Sequence, residues 1–243
     1  MTTVLKLGGS VVTDKDVPET VDERNLSRAA DAIAAVDEDL VVIHGGGSFG
    51  HPYAAEHGVS TTDGTHDPVA VRAIHGAMKE LNGAVVDALA AAEVPAVPVH
   101  PFSVASRDSA GELSLPTDQL ATMLSEGFAP VLHGDVVVHE SAGATVISGD
   151  EIVVALADAL DADRVGVCSA VPGVYDAEEN VIDRIDSFDD VANALGGSDA
   201  TDVTGGMAAK VRELLGLDAP AYIFDIDGLD GFIAGENPGT RIG

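Results

Sequence analysis

Lysine is rare in this chain, and three of its four lysines lie beside glycine turns. Lys6 lies two residues before one glycine pair, Lys15 just beyond that turn, and Lys210 four residues after a second glycine pair. A lysine ammonium is a compact point charge, which suits the neutralisation of a phosphoryl group in transfer. We therefore predict that these three lysines serve a phosphate site, whereas Lys79 is an ordinary surface lysine.

Three consecutive glycines, at 45–47, follow the apolar segment 41–43 and precede His51 and Pro52. Glycines let backbone N–H groups approach a phosphate closely, and a helix N-terminus adds the positive end of its dipole. Proline at 52 suits the first turn of a helix. The stretch predicts a phosphate-binding loop between a buried strand and a helix; the alternative is a tight turn without a ligand.

The spacing of Gly45, Gly47 and Gly50 also matches the dinucleotide-binding fingerprint. That fingerprint needs a helix continuing directly from the third glycine, and a strand ending in an acidic residue about 20 residues on. We predict neither, because His51, Pro52 and a polar loop occupy this region. A Rossmann dehydrogenase is therefore the less favoured interpretation, and the P-loop pattern does not occur in the sequence.

Asp150, at the end of a predicted strand, is predicted to orient lysines, and the alternative is a helix cap. No metal site is predicted, because no two histidines have a metal-binding spacing such as H-x-x-x-H. His44 and His75 are expected to be packing residues, while His57 and His66, in the polar loop 57–67, are open to contact with a substrate.

The chain of 243 residues has 41 acidic and 12 basic side chains and a net charge of −29. This excess argues against nucleic acid and anionic membranes as partners. Dispersed acidity resembles that of proteins from salt-rich cytoplasm, where ions screen self-repulsion. With a single cysteine, Cys168, no signal segment and no apolar run long enough for a bilayer, we expect a soluble cytoplasmic protein.

Apolar periodicity predicts alternating strands and helices, and hence an α/β fold: a three-layer αβα sandwich around an open, mostly parallel sheet, in a single domain. Strands are predicted at 4–7, 40–43, 96–99, 130–138, 145–148, 164–168, 221–226 and 231–234. Helices are predicted at 22–36, 68–92, 151–160 and in a segment opened by residues 201–207 that carries Lys210.

Five segments in order resemble the motif series of the amino acid kinase superfamily, from residue 4 to about residue 212. They are Lys6-Leu-Gly-Gly-Ser10, Gly45-Gly-Gly47, Ile147-Ser-Gly-Asp150, Val171-Pro-Gly-Val-Tyr-Asp176 and Asp202-Val-Thr-Gly-Gly-Met207 with Lys210. Within the superfamily, the first motif continued to Lys15 and the glycine loop continued to His51 most resemble the isopentenyl phosphate kinases.

This resemblance implies transfer of a phosphoryl group from ATP, with Mg²⁺ held mainly by nucleotide phosphates and water, to isopentenyl phosphate. It implies an acceptor lobe at about 1–145, a nucleotide lobe at about 146–243, and a homodimer. The implied catalytic residues are His51, Lys6, Lys15, Lys210 and Asp150, with His51 binding the acceptor phosphate.

The implied acceptor site contains Gly8, Gly46, Gly47, Gly50 and His51, with Ile74 and Met78 as candidates beside the isoprenoid tail. The implied nucleotide site contains Lys6, Gly9, Ser10, Asp150, Gly173, Tyr175, Asp176, Gly205, Gly206 and Lys210. Two alternatives stay open: a kinase of this fold for another acceptor, such as a nucleoside monophosphate or fosfomycin, and a non-catalytic nucleotide-binding module.

Overall fold

The computed structural model describes residues 1–191 and 206–243. The strands are β1 (Thr2–Leu7), β2 (Asp39–His44), β3 (Ala96–Pro98), β4 (Ser106–Arg107), β5 (Leu113–Ser114), β6 (Ala129–His133), β7 (Asp135–His139), β8 (Gly143–Ile147), β9 (Arg164–Ser169), β10 (Arg184–Ile185), β11 (Ala221–Asp225) and β12 (Thr240–Ile242). The helices are α1 (Gly9–Val12), α2 (Glu23–Ile33), α3 (Gly47–Glu56), α4 (Pro68–Ala91), α5 (Asp118–Ser125), α6 (Gly149–Ala159), α7 (Gly206–Leu214) and α8 (Leu229–Ile233).

An eight-stranded sheet forms the centre, with the strand order β10-β12-β11-β9-β1-β2-β6-β3. β1 pairs in parallel with both β2 and β9, while β11 and β12 pair antiparallel. Because Leu7 is in register with His44 and Cys168, the loops that follow these three strands leave the sheet at one edge. The predicted mostly parallel sheet is confirmed.

Helices cover both faces of this sheet. Successive side chains of a strand point to opposite faces, and here both sets are apolar and buried. Val4 and Ile43 lie in a buried cluster with side chains of α5, α6 and α7. Leu5 and Val42 lie in a second cluster with side chains of α1, α2, α4 and α8. The three-layer αβα prediction is therefore confirmed, and the two clusters are the two interfaces between its layers.

A second sheet, which the sequence did not predict, contains four strands in the order β5-β4-β7-β8. The predicted strand segment 130–138 is in fact two strands: β6 belongs to the large sheet and β7 to the small one. The chain changes sheets at Gly134, whose N–H donates to the His44 carbonyl at 3.0 Å. Apolar residues continue across this break, so hydrophobicity alone does not mark it.

The predicted strand at 231–234 is wrong, because this segment lies at the end of helix α8. Leu229 and Phe232, three residues apart, lie on one helix face and are both buried. Phe232 stacks on Phe224 of β11 with ring centroids 5.0 Å apart. Across the two described ranges, α4 and the shorter helices lack the continuous apolar length that a bilayer crossing needs.

Candidate active site

The loops after β1 and β2 pack backbone against backbone at the edge of the sheet. A Cβ built on Gly9 would lie 2.3 Å from the Gly47 nitrogen, and one built on Gly45 would lie 2.6 Å from the Gly9 nitrogen. Real Cβ atoms do not approach this closely, so the glycines are required by loop packing as well as by any ligand. The Gly8 N–H donates to the Cys168 carbonyl of β9 at 2.8 Å, which joins the third strand end to these loops.

Helix α3 begins at Gly47, which adopts φ = +48°, and not at Pro52 as predicted. The helix therefore continues through Gly50. The prediction that no helix follows the third glycine of the Rossmann fingerprint was wrong. The prediction that no strand lies about 20 residues further on stands, because that segment lies at the start of helix α4.

Pro52 lies inside α3, where proline costs about 3 kcal/mol because it lacks an N–H and its ring crowds the preceding turn. The missing donor would have bonded to the Ser48 carbonyl. That carbonyl instead accepts the Glu19 N–H at 3.1 Å. The helix thus offers a backbone acceptor to another segment of the chain.

His51 lies on the exposed side of α3, next to the glycine loop. A Cβ on Gly46 would lie 3.3 Å from His51 Cδ2, so the ring edge is close to the loop backbone. The fold therefore places the histidine and the glycine loop together, as the predicted acceptor site requires.

A largely buried charge cluster lies where β1, α6 and α7 meet. Lys6 Nζ lies 2.5 Å from Asp150 Oδ2, and Lys210 Nζ lies 3.0 Å from Asp150 Oδ1. Ser148 caps α6 by accepting the Glu151 N–H, which places Asp150 in the first turn of that helix. Three of the predicted catalytic residues, distant in sequence, are in direct contact.

Burial and charge change the acidities of this cluster in opposite directions. Burial lowers the pKa of Lys6 to about 8, although the neighbouring Asp150 carboxylate opposes the shift. Burial alone would raise the pKa of Asp150, but the two ammonium groups outweigh it and lower that pKa to about 2. Asp150 is therefore an anion that orients lysines, and it is poorly suited to remove a proton at neutral pH.

Two residues near the cluster were missed by the sequence interpretation. Burial raises the pKa of Glu213 on α7, and the charge of Asp150 adds to that shift. Arg107 on β4 forms a double contact with Glu151, at 2.6 and 2.7 Å, and links the small sheet to α6. Glu213 lies three residues after Lys210, a spacing that predicts a shared helix face. No local spacing predicts the contact of Arg107, because its partner Glu151 is 44 residues away in the sequence.

Lys15 and Ser10 occupy different positions from the cluster. Lys15 lies in the exposed loop 14–20, and the ion pairs of the described residues join Lys6 and Lys210, but not Lys15, to Asp150. Ser10 lies in the short helix α1 directly after the first glycine pair. The reach of Lys15 to a phosphoryl group therefore stays a prediction.

Ile74 and Met78 on α4 are both buried, each 2% exposed. Met78 packs beneath the glycine loop, since a Cβ on Gly50 would lie 2.5 Å from its sulfur. Ile74 belongs to a small apolar cluster with Ala54, Val59 and Val136. Because Ala54 is one turn after His51, this apolar cluster lies next to the histidine.

The predicted nucleotide-site residues of the loop after β9 serve partly in its folding. A Cβ on Gly173 would lie 2.6 Å from Thr240 Oγ1, so this glycine is needed to pack against β12. Asp176 accepts N–H groups of Glu178 and Asn180, and Tyr175 is exposed. Gly206 begins α7 with φ = +67°, and Gly205 lies outside the described residues.

His44 and His75, expected to be packing residues, lie in a histidine cluster at the ends of β2 and β6, where the His44 ring stacks on His133 and the His75 ring contacts His100. His100 Nδ1 lies 2.9 Å from His133 Nε2, and His75 Nδ1 lies 3.0 Å from the Asp135 carboxylate. Burial lowers the pKa of His44 to about 4 and that of His133 to about 3, so both are neutral at pH 7. Among residues 1–191 and 206–243, no group of histidine, cysteine, aspartate or glutamate side chains has the arrangement of a metal site.

Glycine loops at the carboxyl ends of parallel strands, with a buried and a partly buried lysine bridged by an aspartate, define a phosphate-handling site of the kinase class. The chain belongs to the amino acid kinase family, whose model matches residues 1–217. The family predicted from the motifs is thereby confirmed.

Within this family, the chain is similar to several proteins named isopentenyl phosphate kinase. It is 64% identical over 241 residues to the isopentenyl phosphate kinase of Haloferax volcanii, covering 98% of this chain and 97% of that protein. It is 34% identical to the isopentenyl phosphate kinase of Methanocaldococcus jannaschii, covering 100% and 98%. A solved isopentenyl phosphate kinase structure superposes with a TM-score of 0.85 at 31% identity, covering 100% of both chains.

Proposed function

We propose that this chain transfers the γ-phosphoryl group of ATP to isopentenyl phosphate, yielding isopentenyl diphosphate and ADP. The observation that carries the proposal is the largely buried Lys6–Asp150–Lys210 cluster, set beside a glycine loop that leads to His51. The similarity along nearly the whole chain to proteins named isopentenyl phosphate kinase supports this choice of acceptor.

The acceptor in this reaction is a phosphomonoester, whose second pKa is about 6. At neutral pH its oxygen is already a nucleophile, so the site needs no strong general base. His51 donates a hydrogen bond to that phosphate and adds positive charge when protonated, which aligns the oxygen with the phosphorus it attacks. The glycine loop next to His51 provides backbone N–H groups to the same phosphate.

Lys6 and Lys210 neutralise the charge that spreads over the transferred group, and this stabilisation supplies most of the rate. Asp150 keeps the two ammonium groups from separating, because each lysine donates to its carboxylate. Lys15 approaches the same phosphoryl group from the flanking loop 14–20.

Mg²⁺ fits this site as an ion held mainly by nucleotide phosphates and water. Both Asp150 oxygens already accept hydrogen bonds from lysines, so this carboxylate has little capacity left for a metal. When bound with the nucleotide, the ion supplies neutralising charge between the phosphates.

Residues 1–145 form the acceptor lobe and residues 146–243 the nucleotide lobe in this proposal, with the loop carrying Gly173, Tyr175 and Asp176 beside the nucleotide. The central position of β1, between β2 and β9, supports this division, because each lobe then supplies one half of the large sheet. The proposed assembly is a homodimer and the proposed location is the cytoplasm.

The direct test is an ADP-release assay at high salt, with isopentenyl phosphate, uridine monophosphate and fosfomycin offered in parallel. We expect turnover with isopentenyl phosphate to exceed that with the other acceptors. Lys210→Ala is expected to lower kcat about a hundredfold, while the surface variant Lys79→Ala retains normal turnover. Preference for uridine monophosphate or fosfomycin would overturn the proposed acceptor.

A further inference from the structure

Ser48, in the first turn of α3, holds the loop that contains Lys15. Its N–H donates to Thr13 Oγ1 at 3.0 Å, and its carbonyl accepts the Glu19 N–H at 3.1 Å. Its hydroxyl donates to the Thr20 carbonyl at 3.3 Å. Ser48 is buried, and its hydrogen bond to Thr13 is shielded from water. Every hydrogen-bonding group of this one residue is engaged with the segment 13–20.

Pro52 makes one of these contacts available. An ordinary residue at 52 would donate its N–H to the Ser48 carbonyl and occupy it. With proline, that carbonyl is left for the Glu19 N–H. Because of the proline next to His51, the helix has a backbone carbonyl to which the loop can bind.

Glu19 makes a second contact with α3 through its side chain. Tyr53, the residue after Pro52, donates its hydroxyl to Glu19 Oε1 at 2.8 Å. Glu19 has φ = +50°, a conformation that is uncommon outside glycine and costs free energy unless surrounding contacts maintain it. The backbone and side-chain hydrogen bonds to α3 are the contacts that maintain it.

Residues 14–18, between these attachments, are exposed, and Lys15 is among them. The loop is closed at its base by the Thr13–Val21 bridge and by the Asp14 N–H, which donates to the Thr20 carbonyl. Beyond that base, Glu19 attaches the loop to α3 through both its backbone and its side chain. The position of Lys15 relative to His51, which is carried by the same helix, therefore depends on Glu19.

We propose that Glu19, with its hydrogen-bond partners Ser48 and Tyr53, is a positioning residue that holds Lys15 in a fixed relation to His51 during phosphoryl transfer. This inference rests on the proposed function, since it assigns Lys15 to the transferred group. Glu19 touches neither substrate in this scheme and acts through the loop. It also explains a proline inside α3 that otherwise weakens the helix.

The test is a double-mutant cycle at high salt, with isopentenyl phosphate and ATP as substrates. Tyr53→Phe removes one hydroxyl, and we expect kcat to fall roughly twofold to tenfold with the KM for ATP unchanged, the range for loss of one hydrogen bond. In the Lys15→Ala background the same substitution should change kcat less than about twofold, because the positioned group is gone. Equal losses in both backgrounds would overturn the inference.

Pro52→Ala provides a second, independent cycle. The alanine N–H competes with Glu19 for the Ser48 carbonyl, so we expect kcat to fall while the melting temperature stays equal or rises. This loss should also vanish in the Lys15→Ala background; its persistence there would mean that residue 52 acts through His51, against the proposal.

Glu56→Gln is the matched control, because it removes an exposed carboxylate one turn after Tyr53 on the same helix. It should leave kcat unchanged, and a loss equal to that of Tyr53→Phe would overturn the inference. Absence of isopentenyl phosphate turnover in the unaltered protein would instead reject the proposed function, so the two failures are distinguishable.

Discussion

Asp150 balances two positive charges within a buried site, and its removal would leave Lys6 and Lys210 in mutual repulsion. The aspartate raises the pKa of Lys6, whereas burial and Lys210 lower it. The charge of Lys6 therefore changes just above neutral pH in the free enzyme. Because the proposed role of Lys6 needs the ammonium form, activity should depend on this ionisation.

We predict that kcat/KM for ATP falls as the pH rises through about 8, since Lys6 loses its proton there. In Asp150→Asn the raising effect is lost, so the same descending limb should move to lower pH. Lys79→Ala, at an exposed position, should leave the limb in place. A limb that does not move in Asp150→Asn would show that another group is titrating.

We predict that His51→Ala lowers kcat with isopentenyl phosphate about a hundredfold, the scale for loss of one preorganised donor. ATP affinity should stay nearly unchanged, because His51 lies by Gly46 and not in the lysine cluster. Equilibrium binding of ATP and steady-state kinetics measure the two effects, with the exposed-site variant Lys79→Ala as the control. An equal loss of ATP affinity would place the histidine on the nucleotide side.

The two glycine loops show how element ends are fitted together. Gly9 and Gly47 approach so closely that the backbone of one occupies the space of a side chain on the other. This contact joins the end of β1 to the start of α3, and it sets the distance between the lysine cluster and His51. The glycines thus have a structural role that a phosphate ligand alone would not require.

We predict that Gly9→Ala strongly lowers the melting temperature, because its Cβ would lie 2.3 Å from the Gly47 nitrogen. The matched control is Gly83→Ala in α4, where a Cβ meets nothing within 4 Å. There alanine should stabilise the protein by up to about 1 kcal/mol, from helix propensity. Thermal melts at one salt concentration compare the two, and a Gly9→Ala melt equal to that of the unaltered protein would refute the packing role.

Element types could be predicted from the sequence where the apolar pattern was long or strongly periodic. Helix α4 and strands β1 and β9 were predicted with ends close to those observed. The segment 231–234 failed because a short apolar run fits a strand or a buried helix equally well. The start of α3 failed because Pro52 was taken as a first-turn signal, although a tertiary contact satisfies the carbonyl it leaves free.

The whole molecule carries a net charge of −29, which repels itself in dilute buffer. Salt screens this repulsion, because the Debye length falls from about 10 Å at 0.1 M to about 3 Å at 1 M. Similarity to a Haloferax volcanii protein agrees with a composition suited to high salt. The free energy of unfolding should therefore depend strongly on the salt concentration.

We predict that the melting temperature rises markedly between about 0.1 M and 2 M KCl, because counterions remove the electrostatic penalty of folding. Sucrose at matched osmolality is the control, since it adds no ions and should raise the midpoint much less. A melt whose midpoint is the same in dilute buffer and in KCl would contradict the prediction.

The sequence by itself determined the family, the layered architecture and the identity of the candidate charged residues. Motif order, strand alternation and helix periodicity are local properties, so they can be predicted without coordinates. The five motifs predicted the amino acid kinase family, which the match over residues 1–217 confirms.

Only the tertiary structure decided which of these residues meet. Lys6, Asp150 and Lys210 are far apart in the chain, and their contact depends on the register of β1 with its neighbours and on how α6 and α7 pack. The same holds for the close approach of Gly9 to Gly47 and for the hydrogen bond of Glu19 to Ser48. Such contacts are products of three-dimensional packing, and no local pattern of residues encodes a distance between segments that the fold alone brings together.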